Sequence, residues 1–432
     1  MKQFSVIVIG AGGRGRTYAR YMGQLPEKYK IVGVAEPVDV KRNAFAREYH
    51  IPEENMFKDW REILDRPKMA DIAVIATMDA DHYEPAMKAI ELGYHLLLEK
   101  PVAPTIRECT DIANAAEAKG VSVIVCHVLR YTPFFKTVKN IVDSGRIGKI
   151  MSIDHVEAIG DTHFSHSFVR GNWHNEKEST PMVMQKTCHD LDILQWIIGK
   201  PCKKVQSFGS LTYFTPENAP EGAPVRCADG TCPIADTCAY NCHKIYIENP
   251  DRTWYKSAFR NIVATHPDTT DDELLEKLKE TDYGLCVFHA NNDVCDHQVV
   301  NMKFEGGVTA RMTVNAFNEG GRYIRIYGTK GELFAFMSDE SILVRETYNE
   351  RNREYVPVMK TVEGIEGGHG GGDFGIVYDL YDYLNGTYRG VSVADIHISV
   401  ANHLIAFAAE ESRHHDTVVS MDDFSAEHHF KI

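Results

Sequence analysis

The sequence predicts an α/β protein of two domains: a parallel sheet wound with helices on both faces, then an α/β domain whose sheet is mainly antiparallel. Three observations carry this. Short β-rich runs alternate with amphipathic helical stretches over residues 1 to about 127, a glycine-rich turn ends the first of those runs, and from about Val299 the runs become hairpins.

The strand candidates of the first part are Phe4 to Ile9, Tyr29 to Ala35, Ile72 to Ala76, His95 to Leu98 and Ser122 to Val125. After Arg130 the texture changes to a helix from about Pro133 to Ser144, a turn over Gly145 to Gly148 and a strand from Lys149 to Ile159. Domains of 1–127 and 128–432 follow, with the boundary near Cys126 to Arg130. In the second part, Val299 to Phe304 and Val308 to Val314 flank Glu305-Gly306-Gly307, and Tyr323 to Tyr327 and Glu332 to Phe336 flank a turn from Gly328 to Gly331. Residues 215 to 295 carry Pro, Gly, Cys and polar clusters and read as an insertion on this scaffold. A glycine-rich run from Gly367 to Gly372 precedes helical periodicity at Phe374 to Leu384 and Val393 to Glu411.

A chain of 432 residues is too long for one ordinary core, so two unequal domains are expected. Its 44% hydrophobic and 25% charged content excludes a disordered or fibrous protein. The net charge of −14, with no dense Lys/Arg stripe, argues against a nucleic-acid partner. The first residues lead straight into a strand-like run without the pattern of a signal peptide, and no stretch is apolar for long enough to span a bilayer. A cytoplasmic location is therefore expected, with the ten cysteines as thiols or metal ligands rather than disulfides.

Gly10-Ala11-Gly12-Gly13-Arg14-Gly15 follows the first strand and opens a helix, the context a dinucleotide site requires. Gly10 permits the tight turn, Gly12 lets the backbone approach a pyrophosphate, and Gly15 lets the helix pack on the strand while its free N–H groups face the anion. The second strand ends at Glu36, where a carboxylate can accept from both adenosine ribose hydroxyls. That acid favours NAD, since it repels a 2′-phosphate; Lys41 and Arg42 nearby keep NADP open. The expected domain is a Rossmann fold.

Glu99-Lys100-Pro101 follows the strand His95 to Leu98. Together with the glycine motif, Ala76-Thr77 at a strand end and Asp81-His82 just after it, the chain resembles the glucose-fructose oxidoreductase and inositol dehydrogenase family, Gfo/Idh/MocA. The resemblance implies an open antiparallel sheet in the second domain, assembly as a homodimer or homotetramer, and a carbohydrate-like substrate. It also implies that Gly13, Arg14, Thr77, His82, Glu99 and Lys100 line the cofactor site, with Lys100 between nicotinamide and substrate. An ammonium there donates to the hydroxyl being oxidised.

A second family motif spaces an acid, a histidine and another acid on a helix. Here it reads Gln185-Lys186-Thr187-Cys188-His189-Asp190-Leu191-Asp192, so His189 and Asp192 match while an amide stands at the first position. Residues four apart share a helical face, so Gln185 and His189 are expected to point together into the cleft. His189 is the candidate general base, and Asp192 a structural or orienting group. Substrate contacts are expected from Arg130, Trp173, His174, Gln185 and Lys186, with His163 and His166 as weaker candidates. A tryptophan beside an imidazole suits the C–H face and hydroxyls of a sugar ring.

Cys227, Cys232, Cys238 and Cys242 fall within sixteen residues of the insertion and could hold a structural zinc or an iron–sulfur cluster. The spacing lacks the paired knuckles of common zinc sites, so free thiols are the alternative; His243, Cys286 and Cys295 could supplement the set.

The leading functional expectation is hydride transfer between a nicotinamide cofactor and a sugar, cyclitol or related polyol, with Lys100 and His189 handling the proton. One alternative is NAD-dependent glycosidase or lyase chemistry through transient oxidation and elimination. The other is a non-catalytic NAD(P)-binding regulator.

Overall fold

The computed structural model describes residues 2–248, 253–264, 269–347, 353–359 and 368–430, without the side chains of 253–257. Gly367, the first glycine of the tail run, lies outside them.

Six parallel strands build the first sheet: β1 (Phe4–Ile9), β2 (Tyr29–Ala35), β3 (Met56–Phe57), β4 (Ile72–Ile75), β5 (His95–Leu98) and β6 (Val123–Val125). β1 from Val6, β4 and β6 are continuous apolar runs dominated by Val and Ile, the composition of strands covered on both faces. The spatial order is β3-β2-β1-β4-β5-β6, that of a dinucleotide-binding sheet, and its order reverses between β1 and β4. A ligand crevice is expected beyond the carboxyl ends of those two strands. β3 is only two residues long, too short to leave a periodic signal in the sequence.

The second sheet is larger and mixed. It comprises β7 (Ile150–Ala158), β8 (Cys202–Ser210), β9 (His297–Phe304), β10 (Thr309–Asn315), β11 (Gly321–Gly328), β12 (Gly331–Phe336), β13 (Ser341–Glu346), β14 (Arg353–Pro357) and β15 (Val419–Ser420). The order is β14-β13-β12-β11-β7-β10-β9-β8-β15, antiparallel throughout except that β7 and β10 run parallel in register Thr309↔Ser152 to Asn315↔Ala158. Both expected hairpins are present, β9–β10 and β11–β12. Burial alternates along β7, β9 and β10, so one face packs on helices Cys188–Ile198 and Ile396–His415 while the other is open.

The helix Gly372–Leu384 returns to the first sheet, placing Ile376, Val377, Leu380 and Tyr381 in one core with Phe4, Tyr18 and Tyr29. This delivers the glycine-rich tail segment to the mouth of the dinucleotide crevice. The insertion has a small core of its own, in which Cys242, Ile245, Tyr246 and Phe259 pack on Leu274 and Leu278. Its helix Asp271–Glu280 begins with a reciprocal cap between Thr270 and Glu273.

Candidate active site

At the crevice the glycine motif is shaped by close approaches. Gly10 has φ +87°, and a Cβ on it would lie 2.5 Å from the carbonyl oxygen of Ala76; a Cβ on Gly15 would lie 2.0 Å from that of Gly10. Only glycine fits either place. By contrast, a Cβ at Gly12 or Gly13 would meet nothing within 4 Å, and the helix Gly13–Gly23 starts with no side-chain cap. The loop is thus open to a close-lying group, and the first amides of the helix lack intrahelical acceptors, which a pyrophosphate would supply. Glu36 ends β2 with its carboxylate taking the amides of Ala11 at 2.8 Å and Val38 at 3.0 Å, beside the loop where an adenosine ribose would lie. The chain's residues thus fit a dinucleotide.

Arg42 is buried, donating to the carbonyl of Glu36 at 2.7 Å and to Asp39. It is spent inside the fold and cannot serve a 2′-phosphate.

Arg14 departs from its expected role. Its guanidinium binds Glu99 at 2.6 Å and both oxygens of Asp373, at 2.8 and 3.2 Å, so only its backbone is left for the cofactor. Glu99 also accepts from Tyr18 at 2.6 Å and, through its other oxygen, from the Lys100 amide at 2.9 Å. Burial alone would raise the Glu99 pKa, but Arg14 and Lys100 bring it below its ordinary value, so it stays ionised. The result is a rigid base for Lys100, joined to the tail through Asp373 and its partner His369 at 3.1 Å.

His82 is likewise structural. Its ring bridges the carbonyls of Pro101, at 2.7 Å, and Thr77, at 3.3 Å, from a position 1% exposed, which leaves no nitrogen for a ligand. Thr77 remains partly exposed at the crevice, its hydroxyl donating to the carbonyl of Asp81. The Lys100–Pro101 peptide bond is cis.

Lys100 reaches across to the second domain and donates to the backbone carbonyl of Gln185 at 2.7 Å. The helix expected over this motif is broken: Met182–Gln185 and Cys188–Ile198 are separate helices. Gln185 therefore does not share a face with His189. Its amide nitrogen turns back to the carbonyls of Trp173, at 3.3 Å, and Thr180, fastening the loop that carries Trp173. A carboxylate could not make those contacts, since it has no hydrogen to donate.

His189 lies in the same place as Lys100. Burial, followed by the charges of Lys100, His127 and His369, holds its imidazole well below the ordinary histidine pKa, so the ring is neutral. Its Nδ1 has no hydrogen-bond partner although buried. Behind it, His127 and His403 form an edge-to-face column with ring centres 5.9 and 5.8 Å apart. Asp79, which the sequence reading overlooked, is 5% exposed with one oxygen unpartnered and the other 3.5 Å from the indole nitrogen of Trp173.

The remaining candidates divide. Lys186 pairs with Glu157 at 3.3 Å, and burial lowers its pKa although Glu157 opposes this. Arg322, also overlooked, bridges Glu157 and Asp190 at 2.5 and 2.9 Å, while His155 holds Asp190 from the other side at 2.7 Å. Trp173 and His174 are partly exposed on their loop, where His174 is tied to the carbonyl of Gly171 at 2.8 Å. Arg130 is not a ligand contact: it is 2% exposed and forked onto Asp192 by two bonds of 2.6 Å. Asp192 is the structural acid expected. His166 is stacked between Phe259 and Tyr283 and bonded to Tyr246, so it belongs to the core of the insertion.

The cysteine set also changes. Cys242 is buried in the small core of the insertion, whereas Cys227, Cys232 and Cys238 line a cavity together with Cys286.

Residues 4–127 match the family model described as oxidoreductase family, NAD-binding Rossmann fold, and residues 139–421 match its C-terminal alpha/beta domain. The chain belongs to the Gfo/Idh/MocA oxidoreductase family, and its first domain is an NAD-binding Rossmann domain. It is 26% identical over 414 residues to YteT of Bacillus subtilis, a protein named as an oxidoreductase, covering 89% of this chain and 92% of that one. It is 23% identical over 203 residues to inositol 2-dehydrogenase of Salmonella typhimurium, spanning 46% of this chain and 56% of the relative. Levoglucosan dehydrogenase solved with NADH and L-sorbose superposes with a TM-score of 0.70 at 18% identity, over 98% of this chain and 99% of that one. At that identity the likeness shows the fold. Among the described residues no helix is long and apolar enough to cross a membrane.

Proposed function

We propose that this oxidoreductase uses NAD to oxidise a carbinol of a sugar, cyclitol or related polyol, with Lys100 and His189 as the groups that touch the reacting hydroxyl. One observation carries the reading: the Lys100 ammonium, held by the Gln185 carbonyl on a backbone that Glu99 fixes through the Lys100 amide, stands beside a buried, neutral imidazole at the mouth of the dinucleotide crevice. NAD supplies the hydride acceptor when bound. Lys100 donates to the hydroxyl oxygen and favours the developing negative charge. His189, neutral in its buried place, takes the proton. Gly10, Gly12, Gly13 and Gly15 receive the pyrophosphate and Glu36 the ribose, with NAD preferred because Arg42 is occupied. Thr77 and Glu99 support the nicotinamide end, and Trp173, His174 and Lys186 border the substrate.

The named activities of inositol 2-dehydrogenase and levoglucosan dehydrogenase support a polyol or sugar substrate. A redox-neutral reaction is the second reading. It is favoured by Gln185 in place of a carboxylate and by 26% identity over 202 residues to 2,7-anhydro-N-acetylneuraminate hydratase of Escherichia coli. A cytoplasmic homodimer or homotetramer belongs to the same proposal; the open sheet face carries Phe208 and Phe336, each about half exposed at 48% and 45%.

The test is a screen of purified protein with NAD against sugars, sugar acids, inositols and aryl glycosides, following NADH absorbance and product together. Stoichiometric NADH with a polyol supports dehydrogenation. Product without net NADH supports the redox-neutral reading and overturns the first.

A further inference from the structure

We infer that the insertion holds an iron–sulfur cluster, ligated by Cys227, Cys232, Cys238 and Cys286. These four thiols come from two stretches of chain about fifty residues apart, yet they line one cavity, part of it open to solvent. None of them is paired in a disulfide.

The size of the arrangement selects the occupant. Tetrahedral zinc with Zn–S bonds of about 2.3 Å would draw its sulfurs to roughly 3.8 Å from one another. Among the described residues, no three cysteine sulfurs lie mutually within 4.8 Å. The set is not gathered at single-ion spacing and lines a cavity instead, the arrangement of thiolates held at the corners of a larger group.

Charge points the same way. Arg170 lines this cavity and is 2% exposed. Its Nε and Nη2 donate to the carbonyls of Leu285 and Tyr240 at 2.7 and 2.8 Å, and its Nη1 has no hydrogen-bond partner. The Tyr246 hydroxyl stands beside the guanidinium, so each partner described for it, two carbonyls and a hydroxyl, is neutral. A buried cation with only neutral partners is costly unless an anion completes the site. A cluster with four thiolates is such an anion.

Backbone donors are already aimed at the sulfurs. The Cys242 amide donates to Cys227 Sγ at 3.4 Å, and the amides of Tyr240 and Phe288 turn toward the sulfurs of Cys238 and Cys286. Such bonds favour thiolate and set a cluster's potential. Cys242 supplies its amide to this group; its own thiol does not line the cavity and lies between the Cys227 sulfur and the small core. Because Arg170 begins the loop that leads to Trp173, the cluster would fix the insertion against the substrate side of the candidate active site.

The test is full-length protein purified without oxygen and then reconstituted with ferric iron, a dithiol reductant and sulfide, assayed for iron, acid-labile sulfide, zinc and visible absorbance. The expected result is iron and sulfide in equal, cluster-level amounts, with absorbance bleached by dithionite. Cys286→Ser should lose most of the bound iron, and Cys242→Ser should keep it. One zinc per chain without sulfide, neither metal after reconstitution, or iron lost in Cys242→Ser but kept in Cys286→Ser would each overturn the assignment. The wild-type measurement decides even where a serine variant fails to fold.

Discussion

The Nζ of Lys100 donates to the carbonyl of Gln185 at 2.7 Å. In an unbroken helix that carbonyl would accept from the amide of His189, four residues on. The break between Met182–Gln185 and Cys188–Ile198 releases it, and the freed oxygen fixes the ammonium beside the imidazole. A backbone irregularity in one domain thereby positions a side chain from the other.

Replacing the ammonium should cost catalysis rather than folding, since Lys100 is only partly buried. Lys100→Met is expected to lower kcat/KM by about 10²–10³-fold, the usual loss of one donor to a developing oxyanion, while NAD affinity stays near that of the wild type. Steady-state kinetics alongside a cofactor titration check both halves.

The charge of Lys100 also depresses the pKa of His189. The acid limb of kcat/KM for alcohol oxidation should therefore fall below pH 6.5, the ordinary histidine value, because the base stays unprotonated to lower pH. In Lys100→Met the limb should move up. His189→Asn should remove it and lower the rate by about 10²–10⁴-fold. A limb unmoved by the loss of Lys100 would separate the two residues.

Buried neutral histidines tie stability to pH. Burial is the first cause of a lowered pKa at His127, His163 and His189, and it pushes His166 and His403 down to about 3. Between those values and 6.5 the unfolded chain binds protons that the folded chain does not. Stability is then complete above pH 6.5 and is lost as pH falls toward the folded-state values. Thermal melts from neutral pH to about pH 5 should show a falling Tm, less steeply in His403→Gln if that variant folds.

Glu36 should govern the choice of cofactor. Glu36→Ser removes charge-assisted hydrogen bonds to the ribose and is expected to weaken NAD binding by about 10- to 100-fold. NADP should lose less or gain, as the repulsion of its phosphate goes. The ratio of the two dissociation constants, measured by nicotinamide fluorescence, reports this.

Asp373 joins the tail to the dinucleotide loop through Arg14. Asp373→Asn should cost about 1–3 kcal/mol by leaving a charge incompletely paired, read as a lower midpoint in denaturant.

Where chemistry left a local mark, the sequence was legible. Gly10 to Gly15 and Glu36 are read from a motif whose spacing follows from turn geometry, Lys100 from the family resemblance, and the first sheet from short apolar runs. The helix break was hidden because its cause is remote: the Gln185 carbonyl goes to Lys100, 85 residues away. Arg322 and Glu157 were silent for the same reason, being single charges on β11 and β7 joined only by sheet pairing. Arg130 misled because an arginine at a strand end looks the same whether it faces a ligand or, as here, Asp192. Cys286 was hard to weigh since the loop closure that brings it to Cys227 has no local signature.

The most direct measurement is a crystal structure of the protein with NAD. The pyrophosphate should rest on the amides of Gly12 and Gly13, the ribose on Glu36, and the nicotinamide ring should lie beside Lys100 with His189 across the substrate space. A dinucleotide bound elsewhere, or a ring turned away from both residues, would contradict the account.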